Sequence, residues 1–256
     1  MGYECFELKV EGGVAHLQLS RPERRNAMTA AFWRELPQIV RGLDARVLVL
    51  SSTGPHFCGG LDISLFQGND SFDTNSLAGR QKFKIKLEEL QASLNSLSEA
   101  RFPVIAAVQG GCIGGGVDMA TACCLRYATR DAWFVIQEIN LGMMADVGTF
   151  NRMPKQLPEA VVRELGYTGE RLSAERAERL GFVNGLFDSH GQLVAGALEV
   201  AKRIASKAPV AVAATKQMIS YTRDHSVAES FDYLNALQPA IFDIEEIKRA
   251  LKNPKG

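Results

Sequence analysis

Residues 103–118 read Pro103-Val104-Ile105-Ala106-Ala107-Val108-Gln109-Gly110-Gly111-Cys112-Ile113-Gly114-Gly115-Gly116-Val117-Asp118. A short uncharged apolar run bounded by glycines is the pattern of a buried strand, and the helix after it is expected to begin near Gly116 or Val117. A strand that feeds a helix through a glycine turn points to an α/β architecture with a largely parallel sheet.

The same unit occurs upstream, where the apolar run from Arg46 to Ser51 is followed by Phe57-Cys58-Gly59-Gly60-Leu61-Asp62. Before it, the alternation of Phe6, Leu8 and Val10 with Val14, His16 and Gln18 about Gly12-Gly13 predicts a hairpin. A helical pattern from about Thr29 to Gly42 has Thr29 as its cap, and a long amphipathic helix is predicted from about Gly79 to Ser98. Downstream, Leu125 to Ala128 and Trp133 to Ile136 are strand-like. After about Asp188 every segment reads as helix: Gln192 to Ala208, Val210 to Thr222, Val227 to Ala240 and Ile244 to Leu251. The expected division is a core over 1–190 and a helical region over 191–256. The polar stretch Gln67 to Ser76 is expected to form a loop beside a site.

Composition narrows the function classes. The 256 residues, 46% hydrophobic, can bury a full core, and 29 basic residues balance 29 acidic ones, so no charge excess favours nucleic acid. Lys82, Lys84 and Lys86 alternate with apolar residues and read as a solvated face or as contacts to phosphate groups. The five cysteines form no CxxC pair and have no histidine at metal-ligand spacing, which implies a reducing compartment and no metal, with Cys123-Cys124 as core filling; a cytoplasmic protein without a cofactor is the expectation. No run approaches the length of a membrane span, and neither end carries a recognisable address.

Three carboxylates, Asp118, Glu138 and Asp146, follow the glycine cluster among mostly apolar neighbours. Carboxylates are costly in such surroundings, which suggests proton-transfer chemistry. The cluster fits neither GxGxxG nor GxxxxGK[ST]. It is either a tight turn or a helix start aiming backbone amides at an anion. Because the Phe57 loop follows its strand as the glycine cluster follows its own, the two loops can meet. If the Leu61 and Gly115 amides converge they form an oxyanion hole, in which each donor contributes about 3 to 4 kcal/mol. Taken singly, Asp118 also fits an acid favoured by a helix dipole and Glu138 a solvated strand end. Nothing resembles GxSxG, and the four histidines lack a catalytic context, with His56 assigned a structural role.

Arg21-Pro22, Arg25-Asn26-Ala27, FCGGLD at 57–62, IGGGVD at 113–118 and QEINLG at 137–142, taken in this order, resemble the crotonase (enoyl-CoA hydratase/isomerase) superfamily over almost the whole chain. That resemblance implies a spiral of ββα units with a C-terminal helical region, assembly as a trimer or as a hexamer of two trimers, and an acyl-CoA thioester as substrate, coenzyme A arriving as part of it. It also implies an oxyanion hole at Leu61 and Gly115 and a substrate surface of Arg25, Ala27, Gly59, Gly60, Leu61, Asp62, Ile63 and Gly115. Hydratases of the family carry glutamates where this chain has Asp118 and Glu138. The shorter Asp118, together with Asp146 in LGMMADVGT, resembles the Δ3,5-Δ2,4-dienoyl-CoA isomerase branch instead. By that resemblance Glu138 takes a proton from C2, Asp146 supplies one to C6, and Asp118 tunes or orients Glu138. An enoyl-CoA hydratase, a Δ3-Δ2-enoyl-CoA isomerase and a non-catalytic binding protein of the same fold are the competing readings.

Overall fold

The computed structural model describes residues 2–66 and 74–252. Strands β1 (Phe6–Glu11) and β2 (Val14–Leu19) pair antiparallel around Gly12 and Gly13, whose φ angles of 57° and 79° suit glycine. Helix α1 (Ala30–Gly42) is capped by the Thr29 hydroxyl, which accepts from the Phe32 N–H. Next come β3 (Val47–Ser52), α2 (Leu77–Glu99), β4 (Val104–Val108), β5 (Gly111–Ile113), α3 (Gly115–Ala122), β6 (Leu125–Thr129) and β7 (Trp133–Val135). Helix α4 (Thr149–Arg152), α5 (Glu159–Thr168), β8 (Leu172–Ser173), α6 (Ala174–Arg179) and β9 (Leu186–Phe187) lead to α7 (His190–Ala205), α8 (Pro209–Thr222), α9 (Val227–Ile241) and α10 (Ile244–Lys252).

Successive turns of the chain contribute to two stacks. One sheet has the order β1-β2-β3-β4-β6-β9, parallel beyond the first hairpin, and the other has the order β5-β7-β8. Isolated bridges between Cys58 and Cys112, and between Met28 and Leu61, add the Phe57 loop to the second stack. A first segment in the large sheet, a second in the small stack and then a helix make up each ββα turn of the spiral.

Strands β3 and β4 are buried along their whole length because both sheet faces are covered. On one side lies the main core, with Phe32, Leu36, Leu48, Leu50 and Leu94. On the other side α7 presents Leu193, Ala197, Ala201 and Ala205, spaced four apart, to Val47, Val49, Ile105 and Ala107. Small side chains along that stripe let the helix lie close to the sheet.

Residues 111 to 113, expected as part of a turn, instead form a ladder: Gly111 to Ile113 pair with Trp133 to Val135. The following helix starts at Gly115, because Gly114 at φ 50°, ψ −115° interrupts the strand in a conformation open to glycine. Of the polar stretch 67–76, residues 67–73 lie outside the described residues, and Ser76 caps α2 by accepting from the Gly79 N–H at 2.9 Å. Lys84 and Lys86 pair with Glu88 and Glu89 on a solvated face of α2. The reading of Cys123-Cys124 as core filling holds for buried Cys123 only. Cys124 is exposed, because α3 ends at Ala122 and consecutive residues of extended chain face opposite ways.

Candidate active site

The Cys58–Cys112 bridge sets the geometry of two loops. The Ile113 N–H donates to the Cys58 carbonyl at 3.0 Å and the Cys58 N–H to the Gly111 carbonyl at 3.2 Å. Further along the same paths, Gly60 (φ 88°) and Gly115 come into backbone contact. A β-carbon at Gly60 would stand 2.8 Å from the Ile113 oxygen and 3.6 Å from the Gly115 nitrogen, and one at Gly115 would stand 3.7 Å from the Leu61 nitrogen. Glycine is required here by close approach as well as by φ.

Those contacts bring the Leu61 and Gly115 amides together. Met28 donates its N–H to the Gly60 carbonyl at 2.8 Å and accepts from the Asp62 N–H at 3.2 Å, which passes over Leu61. Gly115 is the first residue of α3, where an N–H has no helical acceptor. Among the described residues neither amide donates a backbone hydrogen bond. Two adjacent donors at a helix start are equipped to take up charge on a carbonyl oxygen.

Asn26 holds the neighbouring turn against this pair. Arg25 and Asn26 have φ angles of 52° and 53° after the turn Pro22–Arg24. The buried Asn26 side chain accepts from the Arg21 N–H at 2.9 Å and donates to the Thr53 and His56 carbonyls at 2.8 and 3.0 Å. The Arg25 carbonyl accepts from the Gly59 N–H at 2.7 Å. Arg25 and Ala27 thus flank the run Gly59 to Leu61. Asp62 is buried, and its Oδ1 accepts from the Ser64 N–H at 2.9 Å; the Ser64 hydroxyl first, and then this bond, hold its carboxyl below the usual range. Ile63 is exposed. The Asn26 side chain was given no role in the sequence reading, although an Asn between two residues of a turn is a left-handed candidate.

The three carboxylates share one environment. Asp118, in the first turn of α3, is buried, and its Oδ1 accepts the Thr149 N–H at 2.6 Å. Burial pushes its pKa up to about 6, opposed by the Thr149 bond, raised further by Asp146 and lowered by Arg152. Glu138 sits in the short turn Gln137–Leu141 directly after β7. Its Oε1 lies where a β-carbon on Gly114 would come within 2.8 Å, and its Oε2 is buried without a partner among the described residues. Burial first, then Asp118, and more weakly Asp146, raise Glu138 to about 7. Asp146 is half-buried, and its carboxyl is raised chiefly by burial. Each carboxylate that ionises therefore raises the cost of ionising its neighbours, which leaves a proton among them near neutrality.

The histidines stand apart from this chemistry. His56 Nδ1 accepts from the Gly111 N–H at 3.0 Å, and His16 Nε2 is 2.7 Å from the Ser51 hydroxyl. Both are structural. No group of three potential metal ligands occurs among the described residues, and no helix among them is long and apolar enough to cross a membrane.

Comparison with known proteins places this geometry. Residues 9–254 match the model of the enoyl-CoA hydratase/isomerase family. The chain is 37% identical over 246 residues to the mitochondrial Δ(3,5)-Δ(2,4)-dienoyl-CoA isomerase of Homo sapiens, covering 93% of this chain and 75% of that one. It is 34% identical over 258 residues to the peroxisomal protein of the same name from Arabidopsis thaliana, covering 97% and 92%. Among solved structures, an enoyl-CoA hydratase subunit from Geobacillus kaustophilus superposes with a TM-score of 0.87 at 28% identity, covering 99% of this chain and 97% of that one. A Thermobifida fusca protein solved in complex with CoA superposes with a TM-score of 0.84 at 26% identity, covering 92% of each chain.

Proposed function

The chain belongs to the enoyl-CoA hydratase/isomerase family, and from that premise we propose that it converts 3,5-dienoyl-CoA thioesters to their 2,4 isomers. One observation carries the proposal: a third acid, Asp146, stands within electrostatic reach of the Asp118 and Glu138 pair. A shift of a diene into conjugation with the thioester moves a proton from C2 to C6, and those carbons are too far apart for one short carboxylate. Two acids at opposite ends of the diene meet that need.

In this reaction Glu138 removes a C2 proton, and the electron pair spreads over the diene to the thioester oxygen. The Leu61 and Gly115 amides receive that charge, and because they are fixed by backbone packing they need no reorganisation. Asp146 delivers its proton to C6. Glu138 leaves the step protonated and Asp146 ionised, so a proton returns between them through solvent or Asp118 before the next turnover. Burial, and after it the charge of Asp118 held by the Thr149 N–H, keep Glu138 basic enough to act near neutral pH. Every proton is handled by a side chain, so the reaction calls for no metal and no cofactor beyond the coenzyme A of the substrate itself.

The acyl-CoA assignment draws support from the CoA complex of the Thermobifida relative and from the apolar, exposed residues Ile139, Leu141, Met143 and Met144 between Glu138 and Asp146. Assembly as a homotrimer, or as a hexamer of two trimers, is supported by the exposed Phe231, Ile244 and Leu251 on the last two helices and Phe242 between them. We propose a cytoplasmic location from the unpaired cysteines, while the two relatives named above bear mitochondrial and peroxisomal names. The test is absorbance of the conjugated product when a 3,5-dienoyl-CoA is added. Silence there beside rapid hydration of a 2-enoyl-CoA would replace this reading with a hydratase, and silence in both with a binding protein.

A further inference from the structure

The segment that carries Asp146 is anchored by side chains of α2. Residues 143–146 belong to no helix or strand, so no ladder fixes the direction of the Asp146 carboxylate. Gln91 and Asn95 lie four residues apart on α2 and face the same way. Gln91 Nε2 donates to the Asp146 carbonyl at 2.8 Å. Asn95 Oδ1 accepts from Arg152 Nη2.

Arg152 closes the other end of the same segment. Its guanidinium packs over Gly148, where a β-carbon would overlap it and where φ is 134°, and its charge acts on Asp118. Its N–H donates to the Gly148 carbonyl at 3.1 Å, completing the single turn that begins with Thr149. Gln91, Asn95, Val147, Gly148 and Arg152 form part of the lining of a cavity of about 950 Å³ to which α8 also contributes. Gln91 therefore works at the edge of open space, where a backbone carbonyl without it would turn to water.

We propose that Gln91 is a positioning residue for the proton donor Asp146, with Asn95 as a second rung that acts through Arg152. This rests on the reading of Asp146 as the group that delivers the C6 proton. The amide fixes the peptide that follows the Asp146 Cα, and so fixes where the carboxyl points. Loss of the bond should impair delivery at C6 and leave removal at C2 in place, since Glu138 is set by Gly114 and β7 instead.

Gln91→Met keeps the length and removes the donor. In deuterated water, proton NMR of one 3,5-dienoyl-CoA sample reads two rates: exchange of the C2 protons of remaining substrate, and appearance of the 2,4 product. Wild type and Asp146→Asn frame the result. A displacement of about an ångström predicts a fall in conversion of roughly 10- to 100-fold, with C2 exchange and acyl-CoA affinity within about twofold of wild type. Parallel loss of both rates, or loss of neither, overturns the positioning role. Wild-type protein that leaves the dienoyl substrate unchanged overturns the functional reading and this proposal with it. Should Gln91→Met not fold, Gln91→Glu, which has no donor at neutral pH, is read by the same two rates.

Discussion

The Thr149 N–H donates to Asp118 Oδ1 at 2.6 Å, so the segment that begins with Asp146 reaches back to the first turn of α3. One bond thereby joins two of the three acids through the four residues 146–149. It also explains why Asp118 is ionisable at all in a buried site, since the bond opposes the cost of burial.

Asp118→Asn tests the coupling. Asp118 raises Glu138, after burial, as the largest neighbouring charge. Its neutralisation should lower the Glu138 pKa from about 7 and move the acidic limb of the kcat/KM profile to lower pH. A limb that stays in place would separate the two acids.

Glu138 also predicts how stability follows pH. Its carboxyl is raised from an ordinary 4.5 to about 7, so between these values the folded protein holds more protons than the unfolded chain. Stability therefore falls as pH rises through that window, and the deficit is complete above it. Glu138→Gln should match wild type near pH 4 and exceed it at pH 8 by about 3 kcal/mol. Urea unfolding at the two pH values measures the difference, and an unchanged gap would refute it.

Gly114→Ala should damage the base without touching it. The added carbon would stand 2.8 Å from Glu138 Oε1, on a backbone at φ 50°. Strain of this kind costs about 1 to 3 kcal/mol. A lower unfolding midpoint and a fall in kcat of roughly 100-fold are expected, the latter from displacement of the carboxylate.

Asn26→Ala removes one hydrogen bond within the Arg21 turn and two that tie this turn to the loop after β3. The Arg21 amide and the Thr53 carbonyl lose these partners while the His56 carbonyl keeps the Ser52 hydroxyl, which predicts a loss of about 1 to 3 kcal/mol in urea unfolding. Because the turn supports Gly59 through Arg25, KM for acyl-CoA should rise as well.

How much of this was legible depends on the range of the interactions. The runs at 47–50 and 104–108 announce buried strands because both sheet faces are covered, so every side chain in them is apolar. The pairing of the FCGGLD and GGGVD loops followed from their like positions after parallel strands. Strands β8 and β9, two residues each, had no local signal, since they exist only through partners far along the chain. Gln91 and Asn95 were invisible for a similar reason: a polar residue on an amphipathic helix looks solvated until its partner 55 residues away is known. Asp146 could be singled out because its neighbours are uncharged, while its distance to the other acids had to come from the fold.

The most direct measurement follows solvent deuterium during conversion of a 3,5-dienoyl-CoA by wild type and by Asp146→Asn. Wild type should give a 2,4-dienoyl-CoA product labelled at C6, and the variant C2 exchange without product. Labelled product formed at the wild-type rate by Asp146→Asn would contradict it.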